Sequence, residues 1–325
     1  MTANHQVLEE IASHLHANFG LNVYDAVELH KGWLNVKWQL KTERGLFFVK
    51  YYHPNRYRLH LPEKRKKIEQ TLQLQTQLFK AELPCPQVLG REGRFIQETA
   101  AGQQYALMEW LDGCTAEAGD ISEFHMYELG RTTGRMHWLL RDVRPGKAAW
   151  KPDQAASLTG LQANLEQAQQ AGNGPLAELL ERAIGNVRAL DCERLAESPT
   201  GWLHWDLWVD NLLLNEKGVA GIVDFDRMDV AYPEIDAARA VLSGAWTNKR
   251  VRIEAVRAFL EGYRQHAAAP KGMLLRALRM LYLIESVWWL RAEILEDAGV
   301  PARFYQELVW LTEEWDRLAD LLEGL

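Results

Sequence analysis

No G-x-x-x-x-G-K-[ST] element occurs anywhere in these 325 residues, which removes the P-loop class of proteins from consideration. Nor is there an apolar run long enough to cross a bilayer. The most apolar stretch, M-L-Y-L-I-E-S-V-W-W-L, is too short and carries Glu285 in its middle. Cysteine is scarce: Cys85, Cys114 and Cys192 lie far apart with no C-x-x-C pair. That argues against a zinc ribbon or a disulfide framework and fits a reducing cytosol. A basic excess is missing too. The net charge of −7 gives a nucleic-acid partner no global electrostatic support. The opening M-T-A-N-H-Q-V-L-E-E-I-A-S-H-L has no basic region followed by an apolar one and reads as an amphipathic helix. The expectation is a cytoplasmic protein without a membrane or nucleic-acid partner.

What is present is a globular composition, 47% hydrophobic and 25% charged, in a chain long enough to divide its core in two. After the first helix, V-Y-D-A-V-E-L-H and W-L-N-V-K-W-Q-L-K alternate or are rich in β-branched and aromatic residues. T-E-R-G and then L-F-F-V-K-Y-Y follow them, the pattern of a hairpin closed by a glycine turn. From Pro62 to Ala81, apolar Ile68, Leu72, Leu78 and Phe79 at helical spacing predict a surface helix. P-C-P ends it, and extended segments resume through Y-A-L-M-E-W-L. Residues 122–140, 161–171 and 175–190 read as helices, short strands follow, and from about Asn248 onward the pattern is helical. No internal repeat or low-complexity tract is found.

Two polar groups flank short apolar segments near the middle of the chain. H-W-D-L-W-V-D-N runs from His204 to Asn211, and D-F-D begins at Asp224 after A-G-I-V. Taken alone, Asp and Asn at strand ends are ordinary turn formers. In combination they mean more. Leu212 to Leu214 form a strand, E-K-G-V turns, and G-I-V-D-F-D returns, so pairing brings Asn211 near Asp224, with Asp206 in the loop feeding the first strand. Three oxygen-bearing side chains at one end of a hairpin are what a hard cation such as Mg²⁺ requires.

These residues resemble the protein-kinase pattern H-R-D-L-x-x-x-N…D-F-G in order and offset. More closely they resemble the H-G-D-L-x-x-x-N…I-D-F-[DE] signature of the aminoglycoside phosphotransferase and choline kinase-type family, which includes a spore-coat, CotS-like branch. The resemblance implies an α+β, two-lobed protein-kinase-like fold: an N-terminal nucleotide-binding lobe over 1–107, a hinge at 108–113 and a helical lobe over 114–325. It implies ATP or GTP with Mg²⁺, a metal held by Asn211 and Asp224, and Asp206 as the catalytic base. Gly32 and Asn35 fall in the loop over the phosphates. Lys50 takes the phosphate-pairing position, Glu69 (or Glu63) orients it, and Phe48 on the same strand face covers the base. The backbone of Glu109, Trp110 and Leu111 would bond that base. His204 and Asp236 are supporting residues, Asp236 as a brace of the metal loop, while Asp210 and Asp226 read as exposed. Two departures stand out. Trp205 replaces the family's glycine, and Trp208 stands where many protein kinases have a lysine, which argues against protein acceptors.

The function so implied is transfer of a γ-phosphoryl group to a hydroxyl of a small molecule, with an amino-alcohol or aminoglycoside-like acceptor. The alternative is a nucleotide-binding structural protein of the same fold without turnover. Acceptor residues are expected on the helical lobe: Trp205, then Asp229, Tyr232 and Glu234 after D-F-D, and Glu285, Trp288 and Trp289. The last three fall at i, i+3 and i+4, a carboxylate beside aromatic rings that suits a cationic amine. The competing reading has the two tryptophans packed and Glu285 paired with an arginine such as Arg279 or Arg291. Sequence says nothing about oligomeric state.

Overall fold

The computed structural model describes residues 3–30, 36–144, 146–247, 250–296 and 300–325. In chain order the first elements are α1 (Ala3–Phe19), β1 (Val23–Glu28), β2 (Val36–Thr42), β3 (Gly45–Tyr51), α2 (Pro54–Tyr57) and α3 (Pro62–Lys80). Strands β4 (Val88–Leu89), β5 (Ile96–Glu98), β6 (Gln104–Glu109) and β7 (Cys114–Thr115) follow. Then come α4 (Glu123–Leu140), α5 (Gln154–Gln170), α6 (Gly174–Arg188), α7 (Cys192–Ala196), β8 (Gly201–Leu203), β9 (Leu212–Asn215), β10 (Gly218–Ile222) and β11 (Asp229–Ala231). The chain continues through α8 (Glu234–Ala245), β12 (Trp246–Thr247), β13 (Arg250–Val251), α9 (Ile253–Tyr263), α10 (Met273–Trp289), α11 (Val300–Glu313) and α12 (Leu318–Leu321). Its contacts divide it into two units, Met1–Thr115 with Asp210–Arg227, and Ala116–Val209 with Met228–Leu325.

The first unit is an antiparallel sheet of order β1-β2-β3-β6-β4, with β5 also pairing β6. Strand alternation sorts its side chains onto two faces. Trp38, Leu40, Phe47, Val49 and Tyr51 lie on one, packed with Ile11 and Leu15 of α1. Tyr52, Ala106 and Met108 lie in a second core with Ile68 and Leu72 of α3, and half-buried Phe48 packs against it. The β2–β3 turn closes at Thr42↔Gly45. There Thr42 Oγ1 accepts from Arg44 N, and Gly45 takes φ +110°, which only glycine adopts without strain. A three-stranded sheet, β10-β9-β7, completes the unit. Its register pairs Ile222 with Leu212, and Val223 N donates to Asn211 O at 3.0 Å, so Asn211 stands opposite the residue before Asp224.

In the second unit α5 begins at Gln154, earlier than the expected start at residue 161. Asp153 caps it, its carboxylate accepting from Ala156 N at 2.9 Å, and so recruits the preceding turn. Arg250 and Val251, within the stretch expected to be helical from about Asn248, instead form strand β13, which pairs with β12. Helices α4 and α9 pack backbone to backbone. A Cβ added at Gly130 would come within 1.9 Å of Phe259 O, and one at Gly262 within 2.0 Å of Tyr127 O. Only glycine permits that approach, and it brings His137 of α4 to Tyr263 of α9 at 2.9 Å. Among the described residues, no helix is long and apolar enough to cross a membrane.

Candidate active site

In the first unit the chemistry gathers around Lys50. The central strand β3 buries this side chain to 3% exposure, and Lys50 Nζ donates to Asp224 Oδ1 at 2.6 Å and pairs with Asp226 Oδ2 at 2.7 Å. An unpaired buried ammonium would lose its proton. Here burial opposes the charge, but Asp224 and Asp226 outweigh it and hold Lys50 well above the ordinary lysine value. The Tyr57 hydroxyl of α2 donates to Asp226 Oδ2 at 2.8 Å. Burial pushes the Asp226 carboxyl up, against the pull of Lys50. Lys37 Nζ, from the neighbouring strand, lies 3.7 Å from Asp224 Oδ2. Asp224 itself has φ +66°, a left-handed backbone that costs a non-glycine residue about 1–3 kcal/mol and that active sites often store.

Several expected partners stand elsewhere. Glu69 does not orient Lys50. Its two oxygens accept the backbone N–H groups of Phe95 and Ile96, both at 3.0 Å, and so tie α3 to the start of β5. Glu63 is exposed in the first turn of α3. Asp226, read from sequence as exposed, is instead a buried partner of Lys50, with a side chain only 9% exposed. At the hinge, Glu109 N donates to Gln87 O at 3.0 Å and Trp110 N to Leu46 O at 3.3 Å, so two of the three expected base-reading amides are already used. Leu111 packs against Gly221, where a Cβ would meet it at 2.4 Å. Phe48 shares the face of Lys50 as expected from alternation. Gly32 and Asn35 lie outside the described residues.

Sequence reasoning missed Asp226, Tyr57 and Lys37. The repeated acid of D-F-D was one signal. Counting back from the Thr42–Gly45 closure places Lys37 opposite Lys50, which was another.

In the second unit the loop carrying Asp206 is held from behind. Asp236 of α8, with its side chain 1% exposed, accepts His204 N at 2.6 Å and Trp205 N at 2.9 Å. The brace therefore acts on the loop ahead of Asp206, not on the metal loop as expected. His137 Nε2 approaches the same carboxylate at 3.1 Å. A carboxylate only accepts, so Nε2 carries the proton, and the Tyr263 hydroxyl meets the other ring nitrogen. His204 is fully buried. Trp205 has φ +68°, which explains why the family pattern places glycine there. Its ring meets Trp150 edge-on at 6.4 Å, and Trp150 meets Tyr232 at 5.9 Å.

The expected acceptor residues are mostly committed to the protein itself. Glu285 accepts from Arg239 at 2.8 Å, an arginine not anticipated from sequence. Arg239 also pairs with fully buried Glu307, which forms a second ion pair with Arg303, Nε lying 2.8 Å from Oε1. Burial opposes the Arg239 charge, but Glu285 and Glu307 hold it above the ordinary value, with a smaller contribution from Asp206. Its guanidinium covers Phe304 at 4.7 Å, and Trp289 and Trp208 pack on the same ring at 5.0 and 5.3 Å. Trp288 is 61% exposed and turns away from that cluster. Tyr232 is buried, and Glu234 is held by Arg276 through two hydrogen bonds of 2.8 and 2.6 Å. Asp229 Oδ1 accepts its neighbour's amide, Val230 N, at 2.9 Å.

Antiparallel sheet, buried strand lysine and braced loop are the parts of a protein-kinase-like fold, and solved structures of that fold superpose on the chain. One is described as amicoumacin kinase hAmiN in complex with AMP-PNP, Ca²⁺ and Ami. It matches with a TM-score of 0.64 at 17% identity, covering 98% of this chain and 94% of that one. A microcompartment-associated aminopropanol kinase matches with a TM-score of 0.60 at 17% identity, over 97% and 98%. Residues 25–271 match the model of the APH phosphotransferase enzyme family, and the chain belongs to that family. Homoserine kinase of Rhodopseudomonas palustris (strain TIE-1) is 30% identical over 198 residues, 59% of this chain and 54% of the relative, so the match spans about half the relative's length. Homoserine kinase of Methylobacillus flagellatus is 28% identical over 86% of this chain and 85% of its own.

Proposed function

We propose that the chain is a small-molecule kinase that moves the γ-phosphoryl group of ATP to a hydroxyl acceptor. The observation carrying this reading is buried Lys50 bound to Asp224 and Asp226, a cation and two acids on a sheet with a kinase topology. Phosphoryl transfer asks mainly for positioning and charge stabilisation, and these residues supply both. Lys50 holds the phosphates and stays anchored by Asp226. Asp224 and Asn211 hold Mg²⁺. Carboxylate and carboxamide oxygens suit that hard ion, and Asp224 already attracts two ammonium groups. When bound, the metal neutralises charge on the transferring phosphoryl.

Asp206 accepts the acceptor's hydroxyl proton and orients its oxygen. Asp236, by fixing the amides of His204 and Trp205, limits the conformations open to that loop. The Leu111 amide is left as the base-reading donor of the hinge. Glu234 and Glu285 are each held by an arginine, so neither is open to pair with the amines of a polycation. A small hydroxyl compound of low charge fits better than an aminoglycoside. Relatives named for homoserine and aminopropanol set the first compounds to try. Purified protein incubated with Mg·ATP and a panel of homoserine, amino-alcohols, sugars and aminoglycosides, read by mass, tests the reading. A phosphorylated acceptor supports it. Phosphate release alone, or no turnover with any acceptor, sinks it.

A further inference from the structure

Lys37 has no place in the family pattern from which the site was first read. Strand register puts it directly opposite Lys50. Like charges facing each other across a ladder destabilise a sheet unless something answers them. Asp224 answers both, from 2.6 Å for Lys50 and 3.7 Å for Lys37. The two bonds differ in kind. Lys50 makes short contacts with two acids, whereas Lys37 sits beyond hydrogen-bond distance from Asp224 and keeps a side chain 17% exposed. The four groups, two lysines and two aspartates, balance to zero charge.

That balance cannot survive loading. If Asp224 is given to a divalent cation, Lys50 retains Asp226, but the Lys37 ammonium loses the acid that faces it. Its flexible four-carbon stem then lets it turn toward the nearest new negative charge, which in a loaded site is the polyphosphate. We propose that Lys37 is a second phosphate-binding lysine, serving as counter-ion to Asp224 in the ligand-free protein and to the nucleotide's phosphates in the complex. The inference rests on the kinase reading above.

Its signature is a pair of effects of opposite sign. Lys37→Met removes a phosphate contact, so affinity for Mg·ATP and Mg·ADP should fall about tenfold, the scale of one hydrogen bond to a charged group. The same variant removes a cation that competes for Asp224, so affinity for Mn²⁺ without nucleotide should rise severalfold. Adenosine, which has no phosphate, should bind as it does to wild type. Lys37→Arg keeps the charge and should keep Mg·ATP affinity within about threefold. Calorimetric titration of the intact protein reads all of these without turnover. Unchanged Mg·ATP affinity in Lys37→Met, an equal loss for adenosine, weaker Mn²⁺ binding, or a tenfold loss in Lys37→Arg would each overturn the proposal. Should Lys37→Met fail to fold, Lys37→Gln replaces it, with the same losses expected and the same results overturning the proposal. A wild type that binds no Mg·ATP would sink the kinase reading and this inference with it. A wild type that binds, beside a variant that binds equally well, would sink only the inference.

Discussion

Each unit contains two acids and two bases in close contact, and the two quartets are built differently. In the first unit, Lys37 and Lys50 face Asp224 and Asp226. In the second, Arg239 and Arg303 face Glu285 and Glu307. Both are neutral. Lysine is a compact charge on a flexible stem, whereas the planar fork of arginine fixes several bonds at once. The aspartates lie on a turn after β10, one of them at positive φ, while the glutamates project from α10 and α11. The side chain of Asp224 is 23% exposed and that of Glu307 is fully buried. In the reading proposed above, the first quartet opens and exchanges partners. The second holds helices together.

The sharpest way to break this contrast is to remove one cation from each quartet. Arg239→Met leaves Glu285 without its arginine and fully buried Glu307 with Arg303 alone, and should cost about 3–5 kcal/mol in urea unfolding, the scale for breaking a buried pair. Lys50→Met should cost clearly less stability, because Asp224 keeps Lys37 and the Asp226 carboxyl, already pushed up by burial, can take a proton, while phosphoryl transfer should be abolished. Equal stability losses would end the distinction. Next in size, Asp206→Asn should lower turnover by about two orders of magnitude with nucleotide affinity nearly intact. Asp224→Asn should weaken Mg·ATP binding as well as turnover. Two variants alike in binding would refute the division of roles.

A smaller effect concerns the strained loop. Trp205→Gly and Trp205→Ala both lose the Trp150 contact, but only alanine retains the penalty of positive φ. The glycine variant should therefore be more stable by about 1 kcal/mol in paired denaturation curves. A tie would mean that the loop relaxes despite Asp236. Smallest is thiol reactivity. Burial pushes the Cys85 thiol up to about 12, so at pH 8 it is almost wholly protonated in the native protein. Cys114 is exposed. Native protein treated with iodoacetamide at pH 8 should be labelled first at Cys114, with Cys85 reacting only after unfolding; early labelling of Cys85 would contradict its burial.

Much of this was readable in advance because it depends on local spacing. The β2–β3 hairpin, α3 and the β9–β10 hairpin follow from alternation, helical periodicity and glycine turns, and the relation of Asn211 to Asp224 follows from the hairpin's register. Even Lys37 opposite Lys50 was countable from the turn. Other features were not, because they depend on which distant groups meet. Glu69 has a helix position like that of a lysine-orienting acid, yet the amides of Phe95 and Ile96 reach it first. Glu285 has aromatic neighbours suited to an amine, yet Arg239, 46 residues earlier, occupies it. Asp236 braces His204 and Trp205 from 32 and 31 residues away, with His137 brought in by glycines that let two helices touch. Sequence by itself determined which groups carry charge and which side of a strand or helix they occupy. Tertiary structure decided which charges cancel one another. A buried ion must be paired to be tolerated at all, and its partner is set by packing over the whole chain, not by neighbours in sequence.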